Sequence, residues 1–241
     1  MNYRFVFILL LCNVFFGFSQ TEYIKFEGSI YAYESLNSLQ KLKEKKSKNS
    51  SHIYKLKSRD VKITKDSVIH YFHLNKIFPF EEPLYFHLEK WLANRLPEFT
   101  LKMNTGTEKS SDVYIGKPSV VFLWNSSHGY QKKECYFLNE LKKIYSESIN
   151  TIAISNEDCV TLNDFLSKND FQFDNFCEAG DYLKNELGVI TYPNIFLLDK
   201  KGRVRHIYES ITTTDYKNNE AYIKAIEKFE GKLKDLINEE D

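Results

Sequence analysis

The feature that most constrains the fold is an uninterrupted apolar run, Val120 to Trp124, near the middle of the 241-residue chain. It follows the break Gly116-Lys117-Pro118 and lacks polar alternation, so it is typical of a strand buried on both faces of a sheet. A polar turn and about fifteen residues with a helical period come next. One side of this predicted helix is lined by Gln131, Cys135, Leu138, Leu141 and Tyr145.

Strand and helix patterns alternate through the second half of the chain. We predict strands at 98–102, 151–155, 171–176, 191–199 and 200–210. We predict helices at 160–169, 179–188 and 221–237, with Asp181 and Gly188 as cap and stop of the second. The apolar stripe of the last helix comprises Ile223, Ile226, Phe229 or Glu230, Leu233 and Ile237. This order predicts an α/β fold, a mixed sheet flanked by helices.

The first part of the mature chain has a different pattern. Segments 23–33 and 51–74 are rich in β-branched and aromatic residues, and the helical stretch 35–46 lies between them. We interpret residues 20–93 as a small α+β lead-in of unknown role and residues 94–241 as the main domain. A further helix is predicted at 81–96, where apolar residues recur at helical spacing: Leu84, Leu88, Trp91, Leu92 and Leu96.

Residues 1–19 form a predicted secretory signal. Arg4 precedes an apolar stretch that is too short to span a membrane, and Gly17 and Ser19 supply the small residues before a cleavage site at Gln20. We therefore expect an exported protein, periplasmic or secreted, with no integral membrane segment after cleavage. Lipid attachment at Cys12 is the less favoured alternative, because bulky leucines precede that cysteine.

Charge and cysteine content narrow the function further. The 33 basic and 33 acidic residues cancel, which argues against a nucleic-acid partner. Three cysteines remain after signal cleavage, and neither they nor His70 and His73, on opposite faces of a strand, have metal-site spacing. We expect no metal and no cofactor. Cys159 and Cys177 each follow a predicted strand, so a disulfide is possible if their Cα atoms lie within about 7 Å.

Three stretches carry a family resemblance: "LPEFTLKMNTG", "GKPSVVFLWNSS" and "LGVITYPNIFLLDKKGRV". Residues 96–237 resemble the thioredoxin-like superfamily, specifically exported thiol–disulfide oxidoreductases of the TlpA and AhpC/TSA type. The resemblance implies a thioredoxin-like fold with a cis-proline at Pro193. It also implies a Trp-x-x-x-Cys-x-x-Cys motif, with both cysteines at the start of a helix whose dipole favours a thiolate.

This sequence departs from that motif at both sulfur positions. Counting from Trp124 puts His128 and Gln131 where the cysteines would stand, and neither side chain can form or resolve a mixed disulfide. Cys135 lies two turns along the helix on its core face and does not replace them. Hydrolysis by His128 with Ser126 or Ser127 lacks an identifiable acidic partner. Glu209 and Ser210 stand where the resemblance implies small residues, and the Glu209 carboxylate would crowd the site and repel a thiolate.

These observations lead to two hypotheses and leave a third open. The first is a redox-inactive module that binds an unknown protein or extended peptide by β-strand addition. Its groove would comprise Trp124, His128, Tyr130, Tyr192 and Pro193. The alternative is an oxidoreductase that uses Cys159 and Cys177, or a thiol of a partner. An activity that resides in residues 21–93 is the third.

Overall fold

The computed structural model describes residues 20–45, 53–77, 88–127, 131–211 and 219–240. Its strands are β1 (Thr21–Phe26), β2 (Ser29–Ala32), β3 (Ile53–Ile63), β4 (Ser67–Ile77), β5 (Thr100–Lys102), β6 (Glu108–Ser110), β7 (Ser119–Trp124), β8 (Asn150–Ser155), β9 (Asp174–Phe176), β10 (Asn194–Leu198) and β11 (Val204–Tyr208). Its α-helices are α1 (Leu36–Lys45), α2 (Gln131–Tyr145), α3 (Cys159–Lys168) and α4 (Asn219–Ile237). A π-helical turn covers Tyr182–Leu187.

Nine strands form one mixed sheet in the order β2-β1-β4-β3-β11-β10-β7-β8-β9. Strands β7, β8 and β9 are parallel, whereas β10 runs antiparallel to β7 and β11 antiparallel to β10. Every residue of β7 and β10 is buried, as the unalternating apolar runs predict. The α/β fold with a mixed sheet flanked by helices is confirmed.

The two faces of β7 belong to two different apolar clusters. Val120, Phe122 and Trp124 pack with the inner sides of α2 and α4, including Leu138 and Phe229. Alternate residues on the other face pack with the π-helical turn and with the leucines at 88 and 92. The central strand is therefore covered on both sides, which is why its sequence shows no polar position.

Residues 20–77 extend the same sheet. A hairpin joins β1 to β2 through Gly28 at φ 84°, β4 pairs in parallel with β1, and β3 pairs with β4 along its length. The helix α1 packs on this part over a separate small cluster. Asp60 of β3 pairs with His206 of β11, so the sheet is continuous between the two regions.

The prediction of a helix at 81–96 is wrong for residues 88–96, the part of this range that the structure describes. Residues Glu89–Trp91 make one 3-10 turn, Leu92 is extended at ψ 131°, and Ala93 takes a positive φ of 67°. Leu92 and Arg95 instead form bridges with the start of β11. Leu88 and Leu92 are both buried, so their spacing indicated two buried positions and did not indicate a helix. Leu84 lies outside the described residues.

Two smaller predictions are corrected at helix ends. The side chain of Asp181 makes no capping hydrogen bond, although Gly188 does end the turn at φ 77°. On α4, Ile223 is 52% exposed, and the buried stripe runs through Phe229, Leu233 and Leu236. None of the helices in the described part of the chain is long and apolar enough to cross a membrane.

Candidate binding site at the carboxyl edge of the sheet

The ends of five strands meet at one edge of the sheet. Trp124 at the end of β7 pairs with Ser155 at the end of β8, and β9 ends at the same level. Strand β10 begins there, with Asn194 opposite Leu123, and β11 ends there. The carboxyl edge of parallel strands is where α/β folds place their ligand sites, so this edge is the candidate site.

The turn after β7 is anchored by a carboxylate from the next connection. Glu157 accepts hydrogen bonds from the Ser126 amide at 2.9 Å and from the Ser126 hydroxyl at 2.7 Å. Ser155 Oγ donates to the same carboxylate at 3.3 Å. Glu157 thus holds Ser126 in the turn, a contact that the sequence did not reveal because 31 residues separate the two.

The central residues of that turn lie outside the described part of the chain. These are His128, Gly129 and Tyr130. Gln131 is the first residue of α2, and its side chain is likewise outside the described set. The proposed positions of His128, Tyr130 and Gln131 in a groove therefore stay predictions.

Trp124 does not line a groove. Its side chain is fully buried, stacked on Phe122 and packed edge-on against Phe165 and Phe171. Its indole Nε1 has no hydrogen-bond partner among the described residues. The assignment of Trp124 to the binding surface is therefore wrong. Trp124 supports the turn from beneath, because the even-numbered residues of β7 face the cluster under α2.

The segment that leads into β10 forms the accessible side of this edge. The Tyr192–Pro193 peptide bond is cis. Tyr192 is half-buried, and burial raises the pKa of its hydroxyl above the ordinary value. The buried Asn194 side chain donates to the Thr191 carbonyl at 2.5 Å and fixes the bend before the strand. With Asn194 opposite Leu123, Pro193 stands beside the end of β7.

The sulfur atoms lie one and two strands away from that turn. Cys159 and Cys177 form a disulfide with an S–S distance of 1.98 Å and a Cα–Cα distance of 5.1 Å. Cys159 opens α3 and is half-exposed, whereas Cys177 follows β9 and is 1% exposed. The Asp158 carboxylate caps α3 by accepting from the amides of Val160 and Thr161. The disulfide joins the connections after β8 and β9.

Cys135 is the free cysteine of the described residues, and it is buried on the inner side of α2. Burial, followed by the charge of Glu134, raises the pKa of its thiol to about 12. A thiol in this state is almost wholly protonated near neutral pH and is closed to solvent, so it is a poor nucleophile. This agrees with its interpretation as a small core residue.

Glu209 and Ser210, just after β11, do not crowd the edge as the sequence suggested. The Glu209 carboxylate turns toward β3, where it pairs with Lys57 at 3.3 Å and with Arg59. The Ser210 hydroxyl donates at 2.9 Å to Glu134, which is buried at the start of α2. Burial, followed by the charge of Arg59, lowers the pKa of Lys57 to about 7.

The histidines of the lead-in are dispersed. His70 is buried and His73 is exposed, on opposite faces of β4, and His87 lies outside the described residues. Within the described ranges, three or more histidine, cysteine or acidic side chains nowhere gather as a metal site would require.

Comparison with known proteins shows which sequences this chain resembles. The AhpC/TSA family model matches residues 92–207. Chloroplastic peroxiredoxin Q of Triticum aestivum is 30% identical over 123 residues, which cover 47% of this chain and 57% of that protein. The thiol-disulfide oxidoreductase ResA of Geobacillus thermodenitrificans is 28% identical over 136 residues, which cover 55% of this chain and 78% of that protein.

One solved structure supports the fold directly. The C-terminal domain of a thiol-disulfide oxidoreductase from Bacteroides thetaiotaomicron superimposes with a TM-score of 0.50 at 18% identity. The superposition covers 62% of this chain and 97% of that domain. The resemblance inferred from the sequence motifs is therefore confirmed: residues 92–207 match the AhpC/TSA family model, and the fold is similar to that of a thioredoxin-like thiol-disulfide oxidoreductase domain.

Proposed function

We propose that this chain is an exported thioredoxin-like module that binds an extended segment of a partner protein without exchanging thiols at the turn after β7. The observation that carries the proposal is the absence of sulfur there: no cysteine occurs between Trp124 and Cys135. The family's dithiol chemistry requires two cysteines at the N-terminus of the helix that follows the central strand, and in this chain that helix is α2.

The remaining cysteines do not restore that chemistry. With a pKa of about 12, roughly one Cys135 thiol in 10⁵ is ionised at pH 7, and it is buried. Cys159 and Cys177 are joined to each other. On the described surface, the carboxyl edge therefore offers a binding site but not a ready thiolate.

The segment before β10 supplies the means of binding. Strand addition uses backbone hydrogen bonds and side-chain pockets, and it requires no sulfur. Tyr192 and Pro193 precede the first ladder residue of β10 and are partly exposed, and Ile190 in the same segment is exposed. His128 and Tyr130 would form the facing side. An extended peptide is the occupant that such a polar backbone flanked by apolar side chains suits best.

A peptide-binding measurement tests this proposal. Fluorescein-labelled octapeptides of alternating threonine and valine should bind the protein from residue 20 onward, with anisotropy as the readout. Pro193→Ala should weaken binding at least tenfold, because it removes the partly exposed ring that stands beside the end of β7 on the proposed groove. Pro97→Ala, on a half-exposed proline at the opposite edge, is the matched control and should bind like the parent.

The same samples test for redox inactivity. Reduction of insulin by dithiothreitol should proceed at the rate without protein for the parent and for both variants. Equal peptide binding by the parent and Pro193→Ala, with both folded by circular dichroism, would contradict the proposed site. Catalysed insulin reduction would contradict the proposed inactivity.

A second function is favoured by the asymmetry of the disulfide. Cys159 is half-exposed and Cys177 is buried, so an incoming client thiolate would attack Cys159 Sγ, break the S–S bond and release Cys177 as a thiolate that takes up a proton. A second thiolate of the client dithiol would then release Cys159, and the client would leave oxidised. In the reverse direction, the lone Cys159 thiolate of Cys177→Ser should attack a client disulfide, release one client thiolate and accumulate as a mixed disulfide, whereas Cys159→Ser should not.

Export is part of the proposal. The predicted signal lies outside the described residues, and its support is the sequence pattern of residues 1–19. Expression of the full chain in a bacterial host should yield a periplasmic or secreted protein whose N-terminus is Gln20. Retention of Met1 on the mature protein would contradict export by cleavage.

A further inference from the structure

A cavity of about 360 Å³ opens between the lead-in and the main domain, next to the carboxyl edge. Its walls include Lys57 and Arg59 from β3, Tyr208 and Ser210 from β11 and the residues after it, and Lys228 from α4. Cationic groups thus approach the cavity from two different elements. The family resemblance does not extend to the β3 wall, since the family match begins at residue 92.

A carboxylate already occupies the entrance of this cavity. Glu209 is 48% exposed, yet its carboxylate is held by Arg59 and by Lys57, whose side chain is only 3% exposed. The Arg59 guanidinium is permanently charged and suits a carboxylate, and the nearly buried Lys57 amino group, whose pKa is lowered to about 7, adds a second donor. Glu209 shows that the cavity accepts such a group from a flexible, half-exposed side chain.

Two further features favour an acidic ligand over a cationic one. Tyr208 lines the cavity, and its buried Oη has no hydrogen-bond partner within the described ranges. The other acidic wall residue, Asp60, is committed to His206, with 2.8 Å between Oδ1 and Nδ1. A displaced Glu209 can turn to solvent because it is half-exposed.

The cavity lies within reach of a peptide bound at Pro193. Ile195 pairs with Tyr208, so Pro193 stands opposite Ser210, which lines the cavity. Strand β3 lies two strands from β10, about 10 Å away at the usual spacing, and an extended peptide covers that distance with about three residues. One peptide can therefore contact the Pro193 segment and reach the cavity.

We propose that this cavity receives an aspartate or glutamate side chain of the partner segment, about three residues from the residue that lies on Pro193. The partner is thus an extended segment with an acidic end. Glu209 fills the position when the partner is absent, and the partner's carboxylate takes its place on Arg59 and Lys57. This inference rests on the proposed peptide-binding function and specifies its ligand.

Two labelled octapeptides that differ only at one end test the inference. One ends in Asp-Asp and the other in Asn-Asn, after the same alternating threonine and valine residues, and both are amidated. We expect the acidic probe to bind the parent at least tenfold more tightly, with a difference that shrinks as salt rises. Arg59→Ala should abolish the difference, and Glu209→Gln should increase it severalfold by removing the resident carboxylate.

The matched control is Lys65→Ala, which removes one positive charge from the exposed turn between β3 and β4. It should retain the preference for the acidic probe. Equal affinity for both probes, or a preference that survives Arg59→Ala in a variant with unchanged thermal unfolding, would overturn the inference while peptide binding itself stands. Failure of both probes to bind would overturn the proposed function together with the inference.

Discussion

The turn after β7 and the connections after β8 and β9 lie at the same edge of one sheet but differ in chemistry. The first stands where the family resemblance expects two cysteines and has none. The others carry a disulfide, Cys159–Cys177, that closes them against each other. In this chain the sulfur atoms therefore do not lie at the turn where the family resemblance expects them. The fold by itself does not specify the function of the edge.

The two places are connected by hydrogen bonds. Glu157 binds Ser126 in the turn with its carboxylate, and its carbonyl accepts from the amide of Glu178, next to Cys177. The disulfide thus restrains the connection that carries Glu157, and Glu157 restrains the turn after β7. We interpret the sulfur atoms as a brace for a binding edge, and each of the following changes tests one part of that interpretation.

The largest effect is expected beneath the turn. Trp124→Ala should lower the free energy of unfolding by about 3–5 kcal/mol, because it removes a fully buried ring from contact with three aromatic side chains. Chemical denaturation measures this. Trp124→Phe should cost less and leave peptide affinity close to that of the parent. If Trp124→Phe lost peptide binding but kept the stability of the parent, Trp124 would have to be assigned to the binding groove after all.

The disulfide should come next. Replacing both Cys159 and Cys177 with alanine should lower the free energy of unfolding by about 2–4 kcal/mol, since the bond closes a loop of 18 residues in the unfolded chain. The parent in a strong reductant should match the double variant. Reduction without measurable loss of stability would show that the bond is not a brace and would favour the exchange function.

The link between the two places should have an intermediate effect. Glu157→Gln should cost about 1–3 kcal/mol, because the amide cannot replace the charged acceptor of the Ser126 amide and hydroxyl. It should also weaken peptide binding by loosening the turn. Glu186→Gln, on an exposed residue of the π-helical turn, is the control and should stay within about 0.5 kcal/mol.

The smallest effect concerns the junction between the lead-in and the main domain. Burial lowers the pKa of His206, and the Asp60 carboxylate only partly offsets this. The unfolded chain therefore takes up the histidine proton more readily, and stability should fall as pH drops below about 6.5. Against the opposing effect of burial, the hydrogen bond from His206 lowers the pKa of Asp60, so further stability should be lost near pH 4 and below.

Denaturation curves at pH 7 and pH 5 check this dependence. His206→Gln should show a smaller decrease in stability over that range than the parent. His73→Gln, at an exposed position of β4, should show the parent's decrease. Identical decreases in the parent and His206→Gln would contradict the assigned role of His206.

The sequence predicted the elements whose neighbours along the chain determine them. The apolar run ending at Trp124 identified β7, and the spacing of Cys135, Leu138 and Leu141 identified the inner side of α2. Leu88 and Leu92 misled because burial beside β11 gives the same spacing as a helix. The stop at Gly188 was visible because a positive φ favours glycine.

The site was less accessible to sequence analysis. A run buried on both faces does not show which face Trp124 takes, so its place under the turn was missed. The Glu157–Ser126 contact and the pairing of Glu209 with Lys57 and Arg59 connect residues 31 to 152 positions apart. The family resemblance located Pro193, because its signal is a local motif, but it says nothing about residues 20–91 that line the cavity.

The most direct measurement of the central claim is insulin reduction by dithiothreitol in the presence of the mature chain. We predict the rate observed without protein, since the turn after β7 has no cysteine, Cys135 is buried and Cys159–Cys177 serves as a brace. A rate above that background, lost when Cys159 and Cys177 are both replaced with alanine, would contradict the account and establish an oxidoreductase with relocated sulfur.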